Sequence, residues 1–306
     1  MKLKQVISNT ILSGIIIFFV LCTGPGAAIS RDLKEIKNKG VLLHLGVTYA
    51  NFVHKTPAGF DGLDVEVMKL FSTHLGVKYK FVHTTWDTLF TDLTGRKKDP
   101  ETKTFNKRQT ETIKGDIIAN GLTILPWRQE IVEFSDPTFP TGVWLIASAK
   151  STLKPIKPSG DISLDIMHVK SLMAGRTVLT MDATCLAADL YNLKQTRAQI
   201  RYYTQTKIIN DMAPAMLNGM AESTLLDIPD AMVALQKWPG DIKIIGPVTE
   251  TQNMGVAVNK SSPQLLNEFN RFLNRIQKDG TYRKLVEKYY PSVFLYFENF
   301  LKTDGV

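Results

Sequence analysis

Strand-like and helix-like spacings of apolar residues alternate along the first half of this 306-residue chain. Short apolar runs at residues 41–47 and 77–82 predict strands, and residues 63–75 between them carry apolar side chains at helical spacing. Residues 86–93 predict a second helix, and residues 116–119 predict a short strand that leads into Gly121. The alternation predicts an α/β fold with parallel strands.

The second half resumes the alternation, with a proline-rich connector at residues 153–160. Strands are predicted at residues 143–148, 176–181, 223–227 and 242–245, with a helix at residues 184–193 and further elements at 200–203 and 212–217. The polar and charged residues 95–114 show little apolar periodicity, so we expect a surface insertion there, with docking of a partner as the alternative.

The last part of the chain carries the clearest helix signals. Ser262 is expected to cap a helix that starts at Pro263, and apolar residues then recur at helical spacing until Gly280. Thr281 is expected to cap a second helix, which Pro291 ends.

The N-terminal residues 1–28 have the pattern of a signal peptide. Lys2 and Lys4 precede an apolar run, and small residues follow it up to Ala28. We expect cleavage after Ala28 and a soluble protein exported to the periplasm. A lipoprotein anchor on Cys22 is the alternative, although Leu21 stands where such a site has a small residue.

Composition excludes several classes of site. Removal of the leader leaves Cys185 without a disulfide partner, so burial of apolar surface must stabilise the fold. The histidines show no metal-ligand spacing, and no phosphate loop, GxGxxG or GxSxG sequence occurs. The net charge of +8 is spread along the chain, with its densest run at residues 96–98. We therefore expect no metal, no cofactor and no nucleic acid partner.

Polar residues follow the strand predicted at residues 116–119, where open α/β sheets bind ligands. Gly121 and Thr123 come first, and Arg128 follows Pro126 at the start of a short helix. A guanidinium beside free backbone N–H groups can bind a carboxylate through two parallel hydrogen bonds. From these residues alone, an arginine that merely ends a helix remains the alternative.

The segment GLTILPWRQEIVEFSDPTF resembles the segment that marks the family 3 extracellular solute-binding proteins, which capture substrate for polar amino acid ABC importers. Three further segments are similar to that family: GLDVEVMKLFSTHLGV, STLLDIPDAMVAL and GVAVNKSSPQLLNEFNRFLNRIQKDGTYRKLVEKYY. The resemblance implies a two-lobed periplasmic-binding-protein fold of type II, whose lobes are joined by two crossing strands and close over a ligand. Lobe 1 would comprise residues 29–144 and 250–306, and lobe 2 residues 145–249.

Carried over by position, the resemblance implies a site for a zwitterion. Arg128 would bind the α-carboxylate with help from Gly121 and Thr123, and Asp227 would bind the α-ammonium. Thr184 would add a hydroxyl and a backbone N–H from the other lobe.

The resemblance also places two aromatic rings, Tyr49 and Trp86, on either side of the ligand. Each of these residues has a structural alternative. Asp227 and Thr184 could cap helices, and the two rings could belong to the core.

Two positions depart from the family pattern. Leu125 stands where a threonine usually caps the arginine helix, which removes a cap worth about 1 kcal/mol. Asp182-Ala183 stands where a more flexible glycine-containing pair usually opens the second-lobe helix. Asp182 either selects a cationic ligand or points away from the site.

The sequence thus predicts a monomeric, non-enzymatic protein that delivers an amino acid or a similar zwitterion to an inner-membrane ABC permease. An accessory or sensory partner of a periplasmic enzyme or receptor is the second hypothesis. An enzyme on the same scaffold is the third: a cyclohexadienyl-type dehydratase would need Glu222 or Asp182 as general acid. A lytic transglycosylase would need a further catalytic domain, for which we expect no room after residue 291.

Overall fold

The computed structural model describes residues 30–301 except Pro100, Lys103, Gln109 and Lys207. The expected signal peptide lies outside the described residues. No helix within them combines the length and the apolar character that crossing a membrane requires. Two five-stranded sheets dominate the molecule, and each is the centre of one lobe.

The first sheet has the strand order β4-β1-β5-β14-β6. Strand β1 runs parallel to β4 and β5, whereas β14 returns from the C-terminal part of the chain and pairs antiparallel with β5 and β6. The elements of this lobe are α1 (Leu33–Lys39), β1 (Val41–Gly46), β2 (His54–Thr56), β3 (Gly59–Asp61), α2 (Leu63–Leu75), β4 (Lys78–His83), α3 (Leu89–Thr94), β5 (Ile117–Ile118), α4 (Pro126–Gln129), β6 (Val132–Phe134), β14 (Ala257–Asn259), α8 (Pro263–Lys278), α9 (Thr281–Tyr289) and α10 (Val293–Tyr296).

The second sheet has the strand order β10-β9-β11-β8-β12. Strands β9, β10 and β11 are parallel, and β8 pairs antiparallel with β11 and β12. Its elements are β8 (Val143–Ser148), α5 (Ile162–Ser171), β9 (Thr177–Thr180), β10 (Gln199–Tyr202), α6 (Met212–Leu217), β11 (Ser223–Asp227), α7 (Ile228–Lys237) and β12 (Ile242–Pro247), with 3-10 helices at Ala188–Tyr191, Leu193–Thr196 and Ile209–Asp211.

Two antiparallel strands connect the lobes. Strand β7 (Phe139–Thr141) leads from the first lobe into the second, and β13 (Gln252–Met254) pairs with it on the way back. The C-terminal segment covers this connection, because Phe300 packs on Phe139 and Tyr296 packs on Trp144 of β8.

The apolar faces predicted from helical spacing form the core of the first lobe. Helix α2 has the predicted bounds, and its Phe71 packs against Phe269 and Phe272 of α8 with ring centroids 5.2 Å apart in both pairs. All three rings are buried. The alternation of strands and helices predicted from the sequence is therefore confirmed for this lobe.

Two predicted caps differ from the structure, and a third cap was not predicted. Ser262 precedes α8 but makes no capping bond, because the carboxylate of Asp32 accepts the amide of Leu265 instead. Asp32 also caps α1 in a capping box with Glu35, a helix that the apolar pattern did not indicate. Gly280, not Thr281, occupies the cap position of α9 with a left-handed φ of 78°.

The helix predicted at residues 184–193 is wrong. An irregular turn occupies its first part, and a 3-10 helix, Ala188–Tyr191, replaces the rest. Ala183 adopts a left-handed φ of 63°, which costs an L-residue about 1 kcal/mol. The Thr184 hydroxyl donates a hydrogen bond to the carbonyl oxygen of Met181 and accepts one from the amide of Leu186. These local bonds compete with a regular helix.

Candidate functional site

Residues from both lobes meet in a buried cluster between the two sheets. The first lobe contributes Tyr49 after β1 together with Thr123 and Arg128 after β5, and the second contributes Cys185 after β9 and Asp227 at the end of β11. Each of them has an exposed fraction of 5% or less. We call this cluster, Tyr49, Thr123, Arg128, Cys185 and Asp227, the interlobe site.

Arg128 is a buried cation that forms no ion pair within 4.0 Å among the described residues, although the charge of Asp227 attracts it from farther away. Its Nη1 donates to the carbonyl oxygen of Thr123 at 2.8 Å, and its Nε has no hydrogen-bond partner there. The guanidinium lies 5.2 Å from the ring centroid of Trp127 and 5.8 Å from that of Phe90. Burial lowers the pKa of Arg128. A buried charge without a counter-ion in contact is costly, so this position favours an anion that binds the guanidinium directly.

The start of helix α4 places Arg128 in the interlobe site. Helix α4 starts with Pro126 at its first position, and Leu125 occupies the cap position without a capping bond, as its side chain predicts. The Leu125 side chain is buried in the core, with an exposed fraction of 5%. Packing rather than capping therefore fixes this turn.

Asp227 receives hydrogen bonds from both lobes. The Tyr49 hydroxyl donates to Oδ1 across the interface between the lobes, and the Cys185 thiol donates to Oδ2 at 3.4 Å. Burial raises the pKa of Asp227 to about 6, while the bond from Tyr49 opposes that rise. Asp227 stands at the cap position of α7, where the Asp230 backbone amide acts on its carboxylate without the geometry of a capping hydrogen bond. Its hydrogen bonds run instead to Tyr49 and Cys185.

Thr123 and Gly121 differ in what they present to the site. The Thr123 hydroxyl is buried and has no hydrogen-bond partner among the described residues. The Gly121 amide donates to the buried carboxylate of Asp64 at 2.6 Å. Gly121 has a φ of 62°, and an added Cβ would lie 2.4 Å from the Phe52 ring. Its expected role in holding a carboxylate is thus replaced by a structural one in the turn.

Thr184 and Asp182 are also placed differently from the expectation. The Thr184 hydroxyl donates to the carbonyl of Met181 at 2.8 Å and accepts the amide of Leu186 at 3.0 Å, which closes its own turn. Asp182 is exposed and interacts electrostatically with Lys194. Asp182 therefore points away from the interlobe site.

The two predicted rings come together at the site. Tyr49 and Trp86 pack edge to face with ring centroids 6.0 Å apart, and Phe52 stacks on the other side of Tyr49 at 5.8 Å. The buried Trp86 Nε1 has no hydrogen-bond partner among the described residues. Aromatic faces and an unpartnered N–H donor together form a wall suited to a ligand with both apolar and polar atoms.

Three contributors were not anticipated from the sequence. Cys185 follows Thr184 and directs its thiol to Asp227, and the Tyr191 hydroxyl bonds the Cys185 carbonyl. Asn210 accepts the amide of Ala50 at 2.9 Å and so forms a second contact between the lobes. Such contacts between residues far apart in the sequence carry no local sequence signal, although Cys185 was the lone cysteine of the expected mature chain.

Among the described residues, no cluster of three or more histidine, cysteine or acidic side chains has a geometry that could hold a metal ion. The chemistry available in the interlobe site is one guanidinium, one carboxylate, hydroxyl groups and aromatic faces. This set can bind a small molecule that carries a carboxylate and a cationic or hydrogen-bonding group.

Residues 100–292 match the family described as bacterial extracellular solute-binding proteins, family 3. The lysine/arginine/ornithine-binding periplasmic protein of Escherichia coli is 27% identical over 251 residues, which cover 79% of this chain and 84% of that protein. The structure also resembles a crystal structure of a mutant of ArgBP from T. maritima, with a TM-score of 0.65 and 27% identity over 85% of this chain and 99% of that one. The expected two-lobed α/β fold is confirmed by this likeness.

A relative of a different kind is the membrane-bound lytic murein transglycosylase F of Desulfosudis oleivorans, 26% identical over 269 residues. The match covers 86% of this chain but 51% of that protein, so the chain spans about half of the relative's length.

Proposed function

Because the chain belongs to the bacterial extracellular solute-binding proteins of family 3, we propose that it binds an amino acid in the interlobe site without transforming it and delivers it to an inner-membrane ABC importer. The observation that carries this proposal is Arg128, a buried guanidinium whose Nε has no hydrogen-bond partner and which forms no ion pair within 4.0 Å among the described residues. A ligand carboxylate supplies the missing counter-ion.

The other half of the proposed clamp is Asp227. An α-ammonium would replace the Tyr49 hydroxyl on Asp227, and the resulting ion pair in a site shielded from water is stronger than the bond it replaces. The Thr123 hydroxyl would take a second bond to the ligand. Tyr49 and Trp86 would then cover the apolar part of the ligand and offer their faces to a cation.

Basic amino acids are the first ligands to test. Two of the similar proteins are named for such ligands, the lysine/arginine/ornithine-binding protein and ArgBP, whose structures include an arginine-bound form. Asp230 is buried near Asp227 and has an unpartnered Oδ2. Burial and the charge of Asp227 raise the pKa of Asp230 well above its usual range, so it adds a neutral hydrogen-bonding group and no second negative charge.

A thermal-shift panel of the amino acids tests this function. We expect one group of amino acids to raise the unfolding temperature, because a ligand that binds only the folded state stabilises it by mass action. Arg128→Met should abolish that response, whereas Arg201→Met, at an exposed arginine of β10, should leave it unchanged. A panel without any stabilising amino acid, or an unaltered response in Arg128→Met, would exclude the proposal.

Neither general acid considered from the sequence lies in the interlobe site. Glu222 forms an ion pair with Arg176, and Asp182 is exposed. Neither belongs to the interlobe site, where a dehydratase would need its general acid. An accessory or sensory role remains the second proposal; a neighbouring dehydrogenase or kinase gene would favour it, whereas permease and ATPase genes favour import.

The family and the periplasmic relatives also support export to the periplasm, with residues 1–28 as a cleaved leader. Edman sequencing of the protein recovered from a periplasmic extract tests this proposal. A chain that starts at Ile29 supports cleavage after Ala28, and a blocked chain that starts at Cys22 would indicate a lipid anchor.

A further inference from the structure

Helix α5 of the second lobe presents an apolar ridge to solvent. Leu164 and Met167 have exposed fractions of 50% and 61%, whereas Val169 on the opposite face is fully buried. Ile162, at the first position of the helix, is 45% exposed but lies on the side of Val169. The remaining exposed positions of the helix are serines and His168. The outward face of this surface helix thus carries two adjacent large apolar side chains and no acid or lysine.

A basic groove flanks the ridge on each side. One groove of about 490 Å³ lies between α5 and the two 3-10 helices that follow β9, and it includes Lys170 and Arg197. The other, of about 360 Å³, lies between α5 and the proline-rich connector, and it includes Lys154 and Lys157. None of these four cations forms an ion pair with another described residue.

The acids near the ridge are engaged elsewhere. The Asp161 carboxylate caps α5 by accepting the amides of Ser163 and Leu164. Asp165 is buried and accepts the amide of Ser159, and Glu222 pairs with Arg176 in the second groove. The surface around the ridge is therefore apolar at its crest and positively charged on both flanks.

We propose that the α5 ridge and its two basic grooves bind an anionic lipid bilayer surface. Apolar side chains on a convex crest can enter the boundary between headgroups and acyl chains, while lysines and arginine on the flanks meet lipid phosphates. A protein partner would need a groove of matching depth with acidic walls on both sides. A bilayer has an anionic headgroup layer above an apolar acyl-chain layer, so it can contact the basic flanks and the apolar crest at once without a groove of matching shape. Membrane contact would keep the protein near the membrane in which an importer is embedded.

Vesicle co-sedimentation tests this surface. The protein is used from residue 29 onward, which retains both lobes and removes the apolar leader as a source of binding. Vesicles of equal parts phosphatidylglycerol and phosphatidylcholine are compared with pure phosphatidylcholine at low and high salt. We expect binding to the anionic vesicles alone, weakened by salt.

Two variants separate the crest from its flanks. Leu164→Glu with Met167→Glu should weaken vesicle binding at least tenfold, and Lys154→Glu with Lys157→Glu should weaken it on the order of thirtyfold, at about 1 kcal/mol for each basic residue. Leu295→Glu is the matched control, because Leu295 is 79% exposed on α10. All variants should keep the parent's unfolding temperature and its response to amino acids, because these side chains lie on the surface.

Three results would overturn the proposal: no binding to anionic vesicles at low salt, equal binding by parent and crest variant, or equal binding to neutral vesicles. Concentration-dependent dimerisation that Leu164→Glu with Met167→Glu abolishes, without vesicle binding, would assign the ridge to a second copy of the chain instead. Because no amino acid takes part in the vesicle assay, its failure leaves the proposed function untouched.

Discussion

The charged form of Asp227 lowers stability but is the form that the proposed function needs. It lies buried at the interface between the lobes, with donors from Tyr49 and Cys185, and burial raises its pKa to about 6. A carboxylate in such a place is destabilising when charged, yet the proposed function requires that charge to meet an ammonium. The protein is therefore less stable at the pH values at which Asp227 is charged and can bind an ammonium.

The sign of the pH effect follows from the raised pKa. Between about pH 4 and pH 6 the folded protein holds a proton on Asp227 that the unfolded chain has lost, so the free energy of unfolding falls as the pH rises through this window. Above pH 6 the penalty is complete, at about 1.4 kcal/mol per unit of pKa shift.

Asp227→Asn should therefore stabilise the ligand-free protein at pH 7.5 by about 1–3 kcal/mol and abolish amino acid binding. The advantage should shrink as the pH approaches 4. Urea unfolding at a series of pH values measures it, with Asp241→Asn, at an exposed position, as control. An advantage that does not change with pH would mean that Asp227 is not the residue that titrates.

At the scale of elements, α4 shows why packing overrides a missing cap. The turn that carries Arg128 has no capping side chain, but Leu125 at the cap position is buried in the core. Restoring a hydroxyl gains about 1 kcal/mol, whereas truncating a buried leucine typically costs 2 kcal/mol or more. The second effect is the larger one.

Leu125→Thr should thus lower the free energy of unfolding by about 1–2 kcal/mol, despite supplying the cap that the family pattern calls for. Leu125→Met keeps the apolar volume without a cap and should change it by less than about 1 kcal/mol. Chemical unfolding of both variants measures the difference. Higher stability in the threonine variant would show that capping, not packing, governs this turn.

Element prediction succeeded where apolar spacing alone decides the structure. Helix α2 has its predicted bounds, and α8 starts at Pro263 as expected. Helix α5 was missed although Ile162, Ile166 and Val169 recur at helical spacing, because the exposed Leu164 and Met167 obscure that stripe. The helix at residues 184–193 failed because Thr184 bonds its own turn, a competition that spacing does not reveal.

The site could be predicted in part for a related reason. Arg128, Asp227 and Tyr49 lie together, as their positions at strand ends and the family resemblance implied. The family resemblance assigned Gly121 to the ligand. In the structure its amide donates instead to the carboxylate of Asp64, which lies far from it along the chain. Cys185 joins the site through Asp227 of its own lobe, and Asn210 through a contact between the lobes. Both contacts are made between residues far apart in the sequence, so no local pattern indicates them.

At the scale of the whole molecule, the lobes meet through few polar contacts. The Tyr49 hydroxyl bonds Asp227, and the Ala50 amide bonds Asn210. Strands β7 and β13 connect the lobes, and the C-terminal segment packs on both sides of that connection. When few polar contacts join two lobes, a single hydrogen bond can control the hinge motion between them.

Tyr49→Phe should shift the ligand-free protein toward a more open arrangement, because it removes a bond to a carboxylate worth about 1.5–3 kcal/mol. Small-angle X-ray scattering should show a larger radius of gyration than in the parent. Tyr79→Phe is the control, since that hydroxyl bonds His44 within the first lobe. Identical scattering from all three proteins would mean that the Tyr49 bond does not hold the lobes together.

The most direct measurement of the central claim is a crystal structure of the protein with the amino acid that stabilises it most. We expect the ligand carboxylate within about 3 Å of the Arg128 guanidinium and its ammonium on Asp227, with the Tyr49 hydroxyl displaced. A structure in which Arg128 pairs with a carboxylate of the protein, or in which the ligand lies elsewhere, would contradict the claim.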